Sequence, residues 1–224
     1  KAVVHFANPE KQNYMTYAKA LADAGVEYDV FASSYYPYWH GTLDNLKNQL
    51  NAITEKYGKE VMVAETSWAT GLEDSDGHAN TVREGNNDAG MDYDFSIYGQ
   101  AKELREVINA VAEMDKGIGV FYWEPAWIPV KVYDENAENA ANVLTENKAA
   151  WEKYGSGWAA SYAKEYDAED AGKWYGGSAI DNQALFDASG HPLETLKIFR
   201  YVKTGAETAK KISTVKNADA IEIE

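Results

Sequence analysis

A chain of 224 residues, 45% hydrophobic and 25% charged, has the length and apolar content for a substantial core, which excludes a disordered or low-complexity polypeptide. Its 36 acidic side chains outnumber 21 basic ones, for a formal net charge of −15; such a field repels phosphate backbones and anionic lipid, so no nucleic acid and no membrane is expected as a partner. With no cysteine, disulfides, thiol nucleophiles and sulfur-ligated zinc are excluded.

The first residues show neither a basic n-region nor a leader-like apolar stretch, and no apolar run approaches the ~20 residues that cross a bilayer, so a soluble chain is expected. Seven Trp, sixteen Tyr and six Phe exceed what a core of this size needs, and some of them are expected to face a ligand.

Val3 to Phe6 is a short β-branched run that predicts a strand, and Tyr14, Tyr17, Ala18 and Leu21 then recur at helical spacing until Gly25. Tyr28 to Ser34 reads as a second strand. Thr42 can cap the next helix, in which Leu43, Leu46, Leu50, Ile53 and Tyr57 share one face and Gly58 is the stop. Val61 to Ala64 predicts a third strand, closed by Glu65. After a long polar stretch, Ile97, Ala101, Leu104, Ile108 and Val111 mark a third helix, which Gly117 is expected to end, and Ile118 to Trp123 a fourth strand. Further helices are expected near Asn147 to Tyr154 and Leu193 to Val202.

Four strands alternating with three helices are the pattern of βαβ units, so the fold class is α/β with a parallel sheet. The chain begins inside a strand and finishes on the alternating run Ala220 to Glu224, so both ends are expected to be cut. A parallel barrel closes with eight strands, and four leave two open edges that invite association.

In parallel α/β folds the working residues sit at the carboxyl ends of strands. Those ends hold His5 to Asn8, Tyr35 to His40, Glu65 to Trp68 and Trp123 to Trp127, a set rich in aromatics with two histidines and two carboxylates. Sugar rings have apolar faces and hydroxyl rims, so aromatic platforms beside carboxylates suit a saccharide, and a glycosidase needs two carboxyl groups at the scissile bond. Glu65 is the sharpest signal. A glutamate ending a buried strand is costly without a partner or a purpose, so it is either a salt-bridged strand end or a catalytic group. Glu124 is the rival carboxylate, with Pro125 behind it fixing a turn. Trp39, Trp68, Trp123 and Trp127 are either core filler or platforms, and His5 and His40 core or ligand-contact residues, since no serine elbow supports a Ser-His-Asp triad.

The stretch from Leu72 to Asp94 carries seven acids against Arg83 and is long for a strand-to-helix connection. Within it Asp74, Asp76, His78 and Asn80 place oxygen-bearing groups at alternate positions, the spacing by which a loop wraps a hard cation such as calcium; the alternative is a solvated acidic loop. It is not an EF-hand, because position twelve is Gly85. Calcium takes six to eight oxygens, so further ligands must come from elsewhere.

Ser33 to Leu43 (SSYYPYWHGTL), Val63 to Thr66 (VAET) and Tyr122 to Trp127 (YWEPAW), in that order, resemble the glycoside hydrolase family 53 arabinogalactan endo-β-1,4-galactanases. The resemblance covers roughly residues 1 to 205 and implies the second half, strands five to eight, of a (β/α)8 barrel that cuts β-1,4-galactan with retention. Residues 206 to 224 then read as a linker and the start of a further β domain.

By that resemblance Glu65 is the nucleophile, Tyr36 (with Tyr35 beside it as the alternative) the tyrosine that hydrogen-bonds it, and Trp123 the platform at the cleavage subsite. Trp39, His40, Trp68, Glu124 and Trp127 complete the expected substrate contacts. Asp74, Asp76, His78 through its carbonyl, and Asn80 resemble the family's bacterial calcium site, with Ser178 and Asp181 as the remaining ligands. The family's acid/base, a glutamate after an asparagine on the fourth strand, has no counterpart here. The chain alone is therefore expected to be inactive and to require the missing amino-terminal half; a second copy is the other way to cover its open edges. A secreted or cell-surface enzyme is implied, because the polymeric substrate lies outside the cell. The rival readings are a non-catalytic carbohydrate-binding module and a calcium-stiffened structural segment.

Overall fold

The computed structural model describes residues 1–76, 79–86, 92–126, 129–154 and 178–205. The expected tail element at 206–224 lies outside them. Strands β1 (Val3–Phe6), β2 (Val30–Ser34), β3 (Glu60–Thr66) and β4 (Gly117–Tyr122) alternate with helices α1 (Tyr14–Asp23), α2 (Leu43–Tyr57) and α3 (Ile97–Ala112). Helices α4 (Ala140–Tyr154) and α5 (Lys197–Thr204) follow. The strands form one sheet in the order β1-β2-β3-β4, every pair parallel, as the strand-helix alternation requires.

Local chemistry sets the element ends. The Thr42 hydroxyl accepts the Asn45 N–H at 3.1 Å to start α2, and Gly58, at φ 68°, ends it. Ser96 caps α3 through the Gly99 N–H at 3.0 Å. Gly117 does not end that helix, as the sequence had indicated, but opens β4. The chain turns so tightly there that a Cβ would lie 1.9 Å from the Val111 carbonyl oxygen. The last helix starts later than its apolar pattern indicates, because Glu194–Leu196 forms a 3-10 turn first.

One face of the sheet is packed by helices: Phe31, Val61 and Val63 meet Leu46, Leu50 and Ile53 of α2 and Val107 and Val111 of α3. Val30, Ala32 and Met62 form a small cluster apart from that layer, as strand alternation dictates. The outer strands leave apolar side chains in water, Val3 50%, Ile118 47% and Phe121 65% exposed. Among the described residues no helix is long and apolar enough to cross a membrane.

Candidate active site

The sheet register positions Glu65. Ser33 pairs with Val63, but Ser34 pairs with Glu65, so Ala64 is passed over in a bulge. A bulge resets strand alternation. Unbroken alternation from Val61 and Val63 would turn Glu65 toward the helices. With the extra residue it is Thr66 that reaches them, donating its hydroxyl to Glu103 of α3 at 2.7 Å, and Glu65 is left on the face opposite.

There its Oε2 accepts the Ser34 hydroxyl at 3.0 Å and the Tyr36 phenol at 3.1 Å. His5 Nε2 lies 2.8 Å from the Ser34 Oγ, and His5 Nδ1 lies 3.9 Å from Glu65 Oε1. The carboxylate is thus held by hydroxyls instead of a lysine or arginine among the described residues, and its side chain stays 23% exposed. Burial and the charge of Glu65 push the Tyr36 phenol up from its ordinary value, so it remains a donor. Tyr35, the sequence alternative, is buried and its phenol donates to the Gly41 carbonyl at 3.0 Å; of the two phenols, Tyr36 reaches the Glu65 carboxylate.

Around this carboxylate, Trp39 and Trp123 are 40% and 36% exposed and available as platforms. The Trp39 ring lies 5.7 Å from Tyr36, and the Trp123 N–H donates to the Thr66 carbonyl at 2.9 Å, which ties it to the strand of Glu65. Glu124 has a left-handed φ of 45°, a strained geometry for a glutamate, and burial, then the charge of Glu65, raise its carboxyl.

Two expected substrate contacts fall elsewhere. Trp68 is fully buried, stacked on Tyr38 at 4.4 Å and on Phe95 at 5.1 Å, with its indole N–H on the Asp94 carbonyl at 2.9 Å. It packs the base of the acidic loop and offers no face to a sugar. His40 is also buried. Burial lowers its pKa, and its Nδ1 accepts the Tyr36 N–H at 3.0 Å, so it shapes the turn that carries Tyr36. Trp127 lies outside the described residues, as does His78. The residue that the sequence reading missed is Ser34; its position at a strand end beside Tyr35 was the available signal.

Carboxylate oxygens of Asp74, Asp76 and Asp181 come within 4.8 Å of one another. The Asn80 N–H donates to Asp74 at 3.2 Å and its side-chain NH2 to Asp181 at 2.7 Å, while its buried Oδ1 has no hydrogen-bond partner among the described residues. A buried amide oxygen without a partner is costly. An amide oxygen beside three carboxylates is a donor set that suits a hard cation. The Ser178 N–H donates to Asp76 at 3.0 Å, and its hydroxyl accepts the Ile180 N–H at 3.0 Å, so Ser178 lies beside the cluster. Burial raises the Asp181 carboxyl, although Asn80 opposes this.

The fold and site are thus a parallel α/β sheet with a hydroxyl-held carboxylate at the end of β3 and exposed indoles on the segments that follow β2 and β4. The chain belongs to glycosyl hydrolase family 53, whose model matches residues 1–199. It is 54% identical over 204 residues to the endo-beta-1,4-galactanase of Bacillus subtilis (strain 168), an alignment covering 90% of this chain and 45% of that protein. It is 35% identical over 137 residues to the arabinogalactan endo-beta-1,4-galactanase of Humicola insolens, covering 57% and 39%. In structure it superposes on the Ignisphaera aggregans GH53 catalytic domain with a TM-score of 0.66 and 34% identity, covering 89% of this chain and 46% of that one. The chain spans less than half the length of these relatives.

Proposed function

We propose that this chain is the carboxyl-terminal half of a retaining endo-β-1,4-galactanase barrel in which Glu65 is the nucleophile. The observation that carries the reading is the Glu65 carboxylate, turned by the Ala64 bulge away from the helices and held by Ser34 and Tyr36. Kinship with galactanases supplies the substrate class.

In the double displacement, a Glu65 oxygen bonds to the anomeric carbon as the glycosidic C–O bond breaks, its electron pair leaving with the aglycone oxygen. That oxygen takes a proton from the partner acid, and water then releases the sugar with the same acid acting as base. The second carboxyl must stand about 5 to 5.5 Å from Glu65 in a retaining enzyme, and we assign it to the amino-terminal half-barrel. Trp123 and Trp39 stack on sugar faces, and Glu124 accepts sugar hydroxyls.

Calcium is proposed at Asp74, Asp76, Asn80 and Asp181, with Ser178 beside them, on the support of the unpartnered Asn80 oxygen. When bound, it would cross-link the loop after β3 to the segment after β4 and supply no chemistry to the reaction. The whole protein is proposed to act outside the cell, where galactan is.

The decisive experiment joins this chain to the amino-terminal half of a related galactanase and treats it with a 2-fluoro-galactoside bearing a good leaving group. Covalent label on Glu65 by peptide mapping is the expected result. Saturable galacto-oligosaccharide binding with neither label nor turnover would establish a carbohydrate-binding module instead.

A further inference from the structure

The two oxygens of Glu65 are not equivalent, and the difference originates on β1. Ser34 has one hydroxyl proton. Its Oγ lies 3.0 Å from Glu65 Oε2 and 2.8 Å from His5 Nε2. A carboxylate only accepts, so the serine proton goes to Oε2 and the serine lone pair must accept from His5 Nε2–H. That choice puts a proton on His5 Nε2, with Nδ1 3.9 Å from Oε1. Oε2 thus carries two hydrogen bonds, from Ser34 and Tyr36, while Oε1 accepts none among the described residues.

We propose that His5 and Ser34 are a positioning relay that selects the attacking oxygen of Glu65: Oε2 is the anchor and Oε1 the atom that bonds to the anomeric carbon. The inference rests on the assignment of Glu65 as nucleophile. Its physical basis is the placement of the three groups on three adjacent strands, where register holds them: His5 of β1 pairs with Ala32 of β2, and Ser34 of β2 with Glu65 of β3. A hydrogen bond to Oε1 would lower its nucleophilicity and occupy the lone pair that attacks. A donor on Oε2 leaves that lone pair free and fixes the carboxylate plane. His5 touches no reacting atom and acts only through Ser34. Glutamine at position 5 can offer an amide N–H where the imidazole Nε2–H stands; phenylalanine fills the space without a donor.

Two measurements test the relay. In the 224-residue chain labelled with 15N-histidine, long-range 1H–15N correlation should show His5 as the Nε2–H tautomer, and Ser34→Ala should abolish that preference. Finding the Nδ1–H tautomer in the unsubstituted chain would overturn the proposal. In the barrel completed with an amino-terminal half, Ser34→Ala should lower kcat on galactan by about 10- to 100-fold with little change in KM, the scale of losing a hydrogen bond to a charged group, and His5→Phe should lower it in the same way by a smaller factor. His5→Gln should recover most of kcat, which a merely structural defect would not allow. Full kcat in Ser34→Ala, with Glu65→Gln inactive, sinks the relay alone; turnover surviving Glu65→Gln sinks the nucleophile assignment beneath it.

Discussion

Thr66 donates its hydroxyl to Glu103 across 2.7 Å, tying the residue after Glu65 to a carboxyl that is completely buried in α3. Burial pushes the Glu103 pKa up from 4.5 to about 8, the Thr66 bond opposing the rise. Between these values the folded protein holds a proton that the unfolded chain has released, so stability falls as pH rises from about 4.5 through 8. Glu103→Gln, which cannot ionise and keeps an acceptor for Thr66, should flatten that fall. Calorimetric scans from about pH 5 to 9 check it. Near pH 9 the variant should melt higher than the parent by several degrees, at roughly 2–4 °C per kcal/mol for a protein of this size; parallel curves would remove Glu103 as the cause.

Tyr36 and Tyr35 make a second, paired prediction. Only the Tyr36 phenol reaches Glu65, whereas Tyr35 is bonded to Gly41. In the completed enzyme Tyr36→Phe should lower kcat by about 10- to 100-fold, because it removes one of two donors on a charged oxygen. Tyr35→Phe should leave kcat near the parent value and cost about 1 kcal/mol of stability. Steady-state kinetics on galactan together with urea unfolding separate the two effects, and equal losses in both variants would refute the assignment.

The strands and helices could be read from sequence because their patterns are strong: β2 and β3 contain the apolar runs Val30–Ala32 and Val61–Ala64, and α2 and α3 repeat at three and four residues. Glu65 stood out because a carboxylate ends one of those runs. The facing of that carboxylate was not legible, since it depends on a bulge at Ala64 that is a property of the β2–β3 register and carries no glycine or proline as a mark. Trp68 misled for a related reason. It lies three residues beyond Glu65, but the loop folds back over it, and its partners Tyr38 and Phe95 are about 30 residues away on either side. Ser34 looked like strand filler because a single hydroxyl has no signature until its neighbours on β1 and β3 are known.

The contrast between the two tryptophans gives a direct test. Trp68→Ala should cost about 3–5 kcal/mol, since it empties a fully packed site, and oligosaccharide affinity should fail only through unfolding. Trp123→Ala should leave the melting temperature nearly unchanged and weaken galacto-oligosaccharide binding by about tenfold, an aromatic contact being worth roughly 1 kcal/mol beyond its area. Fluorescence titration alongside thermal melts distinguishes them, and a destabilised Trp123 variant with parental affinity would show that indole to be structural.

The acidic loop predicts a stabilising response to calcium. Asp74, Asp76 and Asp181 repel one another within 4.8 Å, and Asn80 Oδ1 lacks a donor among the described residues, so without a cation the cluster is held together against its own charge. Calcium at about 100 times its Kd should add about 2.7 kcal/mol, and a chelator should remove it. Asp181→Asn should abolish the calcium-dependent part of the melting temperature. A melting temperature blind to both calcium and chelator would reduce the loop to acidic surface.

The edges of the sheet yield the last prediction. Among the described residues β1 pairs only with β2 and β4 only with β3, so each outer strand has a row of backbone groups without a ladder partner there, and Val3, Ile118 and Phe121 leave apolar surface in water beside them. Burying that surface is favourable at ~25 cal/mol per Å2, and a further strand on each side would satisfy the backbone as well. The amino-terminal half of a related galactanase should therefore bind this chain and slow amide exchange in Val3–Phe6 and Gly117–Tyr122, with little change in Val30–Ser34 and Glu60–Thr66, already paired on both sides. Phe121→Lys should weaken that association, since it places a charge where the new contact forms. If exchange at β1 and β4 is indifferent to the added half, the edges are closed by something else, and the proposal of an eight-stranded barrel fails.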